Sequence, residues 1–80
     1  MHSAQVNYVD ENSLLVINPA GKMRQLFVPF RVQLLMDTSR FKKNTWVFVE
    51  AIKADDQFTL LYGICGFYYP YFFFRVKVTF

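Results

Sequence analysis

The sequence is poor in the residue types from which catalytic and metal sites are built. Its one cysteine, Cys65, excludes an intrachain disulfide and a zinc site made of cysteines. Its one histidine, His2, stands beside the first methionine, where disorder is common, so neither a nucleophilic triad nor a histidine metal site is expected around it. Glycine-rich phosphate loops of the GxGxxG or GxxxxGK type do not occur. The chain is therefore predicted to be non-catalytic and to hold no metal or cofactor.

The remaining acidic and thiol groups do not indicate chemistry either. Asp10 and Glu11 are adjacent, as are Asp55 and Asp56, so the two carboxylates of each pair diverge in extended structure and lack the separation of an acid/base couple. We interpret both pairs as solvated turns. Cys65 lies in an apolar stretch with no obvious base beside it, which is typical of an inert, small hydrophobic residue.

Charge is missing altogether from residues 57–74, and eighteen such residues reach the usual lower limit for a membrane-spanning helix. A helix there would enclose two glycines, at roughly 1 kcal/mol each, and Pro70, at about 3 kcal/mol. Two strands joined by a tight turn at Cys65 and Gly66 avoid that penalty, and an edge strand tolerates Pro70. Residues 72–80 continue with alternating apolar and polar side chains, the period of a half-buried strand. We therefore predict a β-hairpin, with a membrane span as the alternative.

A secretory signal is not expected, because residues 1–5 lack the basic start and apolar run of a signal peptide. With a single cysteine, a reducing, cytoplasmic setting is the default expectation. Nine basic and six acidic residues give a formal net charge of +3, which is compatible with a polyanionic partner. The charges are interspersed, however, without the block that is typical of a nucleic-acid-binding tail.

Apolar and aromatic side chains are abundant, at 54% and 20% of the residues. The 80 residues are predicted to form one small domain, residues 1–80. Such a domain buries only about 60–65% of its extended surface, whereas each large ring would bury on the order of 150–250 Å². Part of the apolar surface is therefore expected to meet a protein partner or a second copy of the chain. The alternative is an ordinary surface on which many apolar atoms and half-exposed tyrosines are normal.

Extended segments joined by turns account for most of the chain. Strands are predicted over residues 6–10, 14–17, 45–53 and 58–64, with turns or loops at residues 10–13, 18–21, 37–44 and 54–57. Asn44 is expected to take the left-handed conformation that ends a turn. Apolar residues at even positions predict one bent strand over residues 26–36, with Pro29 at a kink or an edge. A helix from Pro29 through Asp37 is the alternative, because part of the segment has helical spacing.

Five or six strands with little or no helix predict an all-β fold, as a small barrel or a strongly twisted antiparallel sheet. Residues 42–49, KKNTWVFV, resemble the basic turn that enters a strand in SH3-like and OB-like small barrels. The resemblance covers these eight residues, and it implies a barrel of one of those two kinds.

Two groups of residues are candidates for binding. The first is the odd-numbered face of the last strand, where rings and cations recur about every 6.6 Å, close to the rise over two residues: Tyr69, Tyr71, Phe73, Arg75 and Lys77. Such a face can stack bases and hold phosphates, or it can be a packed face with cations at its rim. The second group is the basic loop of Arg40, Lys42 and Lys43. It would strengthen polyanion binding if it lay near Arg75, and is otherwise a solvated loop.

These features lead to three hypotheses of function. The first is a non-catalytic binding module that acts through an aromatic-rich protein interface, including a homodimer, because Tyr, Phe, Trp, Met and Arg are enriched at interfaces. The second is a module that binds single-stranded nucleic acid with the strand face and the basic loop. The third is a membrane-associated segment, which the predicted hairpin disfavours.

Overall fold

The computed structural model describes residues 5–57 and 59–80, which form nine short strands and one turn of 3-10 helix. The strands are β1 (Gln5–Asp10), β2 (Ser13–Ile17), β3 (Met23–Phe27), β4 (Phe30–Leu34), β5 (Trp46–Val49), β6 (Ala51–Ala54), β7 (Leu60–Ile64), β8 (Phe67–Pro70) and β9 (Phe74–Val76). The 3-10 turn, Tyr71–Phe73, lies between β8 and β9. The predicted all-β fold with little helix is confirmed. The expectations for His2 and Phe58 lie outside the described residues.

The strands pair into three antiparallel sheets of three strands each. Sheet A has the order β1-β2-β3, sheet B the order β5-β4-β9, and sheet C the order β6-β7-β8. Each sheet has two edge strands, so the strands close no barrel over the described residues, and they do not form one continuous twisted sheet. The predicted small barrel is therefore not closed, and the resemblance to SH3-like and OB-like barrels is not confirmed.

There are more strands than predicted because each long predicted strand is divided. The segment over residues 26–36 becomes β3 and β4, on either side of the cis Val28–Pro29 bond, and the alternative helix is not formed. The segment over residues 45–53 becomes β5 and β6, on either side of Glu50. At each of these breaks the chain leaves one sheet and joins another, which is why three small sheets replace one barrel.

The uncharged stretch forms the predicted hairpin. Strands β7 and β8 are antiparallel, with Ile64 opposite Phe67, and Cys65 and Gly66 connect them with φ angles of 52° and 84°. Two successive residues with positive φ are typical of the type I′ turn, whose twist matches that of the flanking strands. Among the described residues the helical structure is the three-residue 3-10 turn, which is too short to span a membrane.

The core receives side chains from all three sheets. Its buried members are Leu14, Val16, Phe30, Val32, Leu34, Val47, Val49, Ile52, Leu60, Tyr62, Ile64 and Phe74. In β4 the even-numbered residues are buried and in β5 the odd-numbered ones, as the alternation of side chains along a strand requires. Their neighbours in sequence therefore point away from the core, and they create the site described below.

Tyr62 occupies the centre of the aromatic part of this core. Its ring centroid lies 5.7 Å from those of Phe30 and Phe74. Its hydroxyl is buried and has no hydrogen-bond partner within residues 5–57 and 59–80. Burial raises the pKa of the Tyr62 hydroxyl well above its usual value, and the nearby Tyr71 raises that pKa further.

The acidic residues paired in the sequence are exposed and lie at or beside turns, where their carboxylates accept hydrogen bonds from backbone N–H groups. Asp10 Oδ1 accepts a hydrogen bond from the Asn12 N–H at 2.8 Å. Asp55 Oδ1 accepts one from the Thr59 N–H, also at 2.8 Å. Side chains of this kind favour turns because they offer the backbone an alternative acceptor.

Candidate functional site

The outer face of sheet B combines cations with exposed rings. Because the inward-facing residues of β4, β5 and β9 enter the core, every second residue of these strands faces outward. Lys77 follows β9 directly and continues the alternation that begins at Arg75. We call this surface the sheet B face, and it consists of Arg31, Gln33, Trp46, Phe48, Arg75 and Lys77.

Two cations lie close to the Trp46 ring on this face. The Arg31 Cζ is 5.1 Å from the centroid of the Trp46 ring, and the Lys77 Nζ is 5.8 Å from it. Cations are attracted to the negative face of an aromatic ring, so these contacts keep positive charge beside the indole. Trp46 is 37% exposed, and Phe48, two residues further along β5, is 57% exposed. Both side chains are therefore partly exposed to solvent.

Gln33, on the central strand β4, forms hydrogen bonds to β9 on one side and to the loop that precedes β5 on the other. Its Oε1 accepts a hydrogen bond from Arg75 Nη2 at 2.7 Å, and its Nε2 donates to the Asn44 carbonyl at 3.3 Å. Gln33 also lies directly opposite Trp46 in the register of β4 and β5. One amide thus orients the Arg75 guanidinium and ties the end of the basic loop to the same surface.

The sheet B face carries three cations and no carboxylate. Glu50 borders it, since Glu50 and Phe48 line a shallow depression together with Val28 and Pro29. The Glu50 carboxylate is engaged elsewhere, because its Oε1 accepts a hydrogen bond from the Cys65 N–H at 3.1 Å. The surface next to Trp46 is consequently positive, which suits an anionic ligand.

The structure separates the five residues predicted on the last strand. Arg75 and Lys77 belong to the sheet B face, whereas Tyr69 and Phe73 are half-buried against the core. Tyr71 is exposed on the 3-10 turn, beside Phe72. The reason is the 3-10 turn itself, which interrupts the two-residue alternation between β8 and β9.

The three predicted loop residues have different surroundings. The Arg40 Cζ lies 3.7 Å from the centroid of the Phe67 ring, so Arg40 covers the start of β8. Lys42 and Lys43 are exposed, and the Lys43 N–H donates to Asp37 Oδ1 at 2.7 Å. Lys43 directly precedes Asn44, whose carbonyl is bonded to Gln33. Asn44 has the predicted left-handed conformation, with φ at 73°. The loop therefore ends beside the sheet B face.

Sequence reasoning missed Arg31, Trp46 and Phe48. Residues 46–49 are apolar at every position, so the sequence contains no contrast in polarity to show which rings face outward. The polar register of Arg31 was visible, but the placement of β4 between β5 and β9 was not. That placement, which depends on pairing far along the chain, is what brings these side chains together with Arg75.

Groups of His, Cys, Asp and Glu suited to a metal ion do not occur among residues 5–57 and 59–80. Comparisons with protein-family models, with curated proteins and with solved structures find no match to this chain.

Proposed function

We propose that this protein is a non-catalytic module that binds single-stranded nucleic acid on the sheet B face. The observation that carries the proposal is the placement of two exposed rings, Trp46 and Phe48, among Arg31, Arg75 and Lys77 on one three-stranded surface. Unpaired bases stack on such rings, and nearby cations contact the phosphates of the strand. The basic loop, ending at Asn44, extends the positive surface on one side.

A single strand suits this surface better than a duplex. Bases within a duplex are stacked on each other, so only an unpaired strand can present its base faces to the Trp46 and Phe48 rings. Stacking on the two rings is available to every base, so it does not favour one base over another. We therefore expect weak sequence preference and a clear preference for single strands.

Intrinsic fluorescence tests the proposal directly, because Trp46 is the only tryptophan in the chain. Adding an unlabelled single-stranded oligonucleotide of mixed sequence should quench that fluorescence in a saturable way as bases stack on the indole. The same sequence as a blunt duplex should quench it much less. Failure of the single strand to change the Trp46 signal at low salt would refute binding at this face.

Substitutions on the sheet B face separate stacking from charge. Replacing Phe48 by Ala should weaken oligonucleotide binding by about 1–3 kcal/mol, roughly five- to over a hundred-fold in Kd. Replacing Arg75 by Ala should weaken it and reduce its salt dependence. Arg24→Ala is the matched control, since Arg24 is an exposed arginine on sheet A. Equal losses for Arg24→Ala and Arg75→Ala would show that net charge, and not this face, determines binding.

A protein interface is the second candidate function, as the composition predicts. The observation that favours it is the exposure of apolar side chains away from sheet B, above all Met23 and Phe27 on β3. Contiguous exposed apolar surface on a small domain commonly marks a contact with another protein. The small-barrel resemblance of residues 42–49 remains a prediction, and neither candidate function depends on it.

A further inference from the structure

The outer edge of β3 has backbone groups directed away from its own sheet. The Val28 N–H donates to the Asn12 carbonyl and the Asn18 N–H donates to the Lys22 carbonyl, each at 2.9 Å. These bonds flank the β2–β3 ladder, so residues 22, 24, 26 and 28 form its hydrogen-bonded pairs. The intervening residues Met23, Gln25 and Phe27 direct their N–H and C=O groups outward. Since β3 is an edge strand of sheet A, these groups face no strand of the described chain.

The side chains along this edge are unusually exposed. Met23 and Phe27 are 65% and 63% exposed, more than any other large hydrophobic side chain among the described residues. Both lie on the face of sheet A opposite Leu26, which packs toward the core. Edge strands are commonly protected by proline, by a bulge or by charged side chains. Residues 23–27 contain no proline and the β2–β3 register is regular, so the single charge of Arg24 is the protection of these kinds that β3 has.

The position of Arg24 selects one way for the edge to pair with itself. Antiparallel pairing centred on Gln25 places Met23 opposite Phe27 of a second copy and Arg24 opposite Leu26. Pairing centred on Arg24 would instead set two like charges directly opposite each other, which is unfavourable. Pairing centred on Leu26 would set Met23 against Pro29, which has no N–H to donate. The register centred on Gln25 pairs the outward backbone groups of Met23, Gln25 and Phe27 without setting two like charges opposite each other.

We infer that a second copy of this chain docks on β3, edge to edge and antiparallel, about a two-fold axis at Gln25. The interface is isologous, because the same strand contributes to both sides. It joins two sheets A into one six-stranded sheet and brings each Met23 against a Phe27, a favourable sulfur–aromatic contact. The interface involves sheet A alone, so it is independent of nucleic-acid binding at sheet B.

Disulfide trapping tests the register. In a Cys65→Ser background, Gln25→Cys places two thiols at the axis, where the Cα atoms of a hydrogen-bonded antiparallel pair are about 5.5 Å apart, within the range of disulfides. Gln25→Cys should therefore form a covalent dimer on mild oxidation. The matched control is Gln5→Cys, an exposed position on β1, the opposite edge strand of sheet A. A disulfide that forms equally at both positions, or only at the control, overturns the inference.

Sedimentation of the native chain, without nucleic acid, gives a second and independent test. We expect a concentration-dependent dimer that persists at high salt, since the contact is apolar and backbone-mediated. Gln25→Pro removes an outward N–H at an edge position where proline is tolerated, and it should shift the protein to monomer with its circular dichroism retained. A native chain that stays monomeric, or a dimer unchanged by Gln25→Pro with no Gln25→Cys disulfide, refutes the inference. If Gln25→Pro does not fold, the disulfide result decides alone.

Discussion

Cys65 has a backbone conformation that side chains rarely adopt, with φ at 52°. It occupies the first central position of the type I′ turn, where asparagine followed by glycine is strongly preferred. We expect Cys65→Asn to raise the free energy of unfolding by about 1 kcal/mol, since a left-handed conformation costs roughly 1–2 kcal/mol for most residues. Urea denaturation measures the change.

The neighbouring glycine supplies the matched control for that prediction. Gly66 has φ at 84°, so Gly66→Ala should lower the free energy of unfolding by about 1 kcal/mol. The two substitutions should thus move stability in opposite directions, although they alter adjacent exposed residues. Two changes of the same sign would mean that the turn has a different backbone geometry.

Tyr62 is completely buried, and its hydroxyl has no hydrogen-bond partner among the residues that the structure describes. An unsatisfied buried polar group costs about 1–3 kcal/mol, so Tyr62→Phe should leave stability at pH 7 unchanged or raise it by up to that amount. Phenylalanine retains the ring contacts with Phe30 and Phe74. A loss of stability in Tyr62→Phe would indicate that the hydroxyl has a partner in solution.

Tyr62 also predicts a loss of stability at high pH. Its pKa is raised in the folded chain by burial, and secondarily by Tyr71, so the hydroxyl stays neutral there while the unfolded chain ionises near pH 10. The favourable contribution is complete below pH 10 and declines as the pH rises further, by up to about 1.4 kcal/mol per pH unit. Comparing denaturation of the native chain and Tyr62→Phe at pH 9 and pH 11 isolates this effect from that of the other tyrosines.

At the scale of elements, the exposed edge of β3 predicts an alternating pattern of amide hydrogen exchange. The Arg24 and Leu26 amides pair with β2 and should exchange slowly, whereas those of Met23, Gln25 and Phe27 should exchange fast in dilute solution. Raising the protein concentration should slow only the second set, because edge-to-edge docking pairs them. Amide exchange resolved by NMR at two protein concentrations measures both the alternating pattern and its dependence on concentration. Equal rates for Gln25 and Leu26 in dilute solution would contradict the ladder geometry.

The pairing of β4 on both of its sides is what creates the candidate site. In sequence, residues 31, 46 and 75 are far apart, and no local pattern relates them. Strand β4 pairs with β5 through the loop at residues 37–44, a local contact, but it pairs with β9 across some forty residues. The long-range pairing carries Arg75 and Lys77 to the surface where Trp46 already lies.

At the scale of the whole molecule, phosphate contacts made by the cations of the sheet B face should make nucleic-acid binding sensitive to salt. For single strands the logarithm of the binding constant falls with the logarithm of salt concentration by about 0.7 per phosphate neutralised. The three cations of the sheet B face predict a slope of about −2, and participation of Lys42 and Lys43 would steepen it to about −3.5. Titrations of Trp46 fluorescence at several salt concentrations measure the slope. Binding that does not weaken with salt would contradict a phosphate-following surface.

Local patterns in the sequence predicted most of the extended segments and turns, but not where the long segments divide. The positive-φ turn at Cys65 and Gly66, the left-handed Asn44 and the interruption at Pro29 all follow from the conformational preferences of single residues and short segments. Alternation also predicted that Arg75 and Lys77 share one face. The division into three sheets was not predicted, because nothing in a strand's own pattern says which sheet it joins after a break such as Glu50.

By itself, then, the sequence predicted an all-β chain, rich in rings, with a hairpin where charge is absent. Tertiary structure alone decided that the strands divide among three sheets, that Trp46 and Phe48 face outward beside Arg31, and that Tyr69 and Phe73 pack inward. The physical reason is that backbone conformation responds to neighbours in sequence, whereas the choice of pairing partner and buried face depends on how distant apolar segments together exclude water.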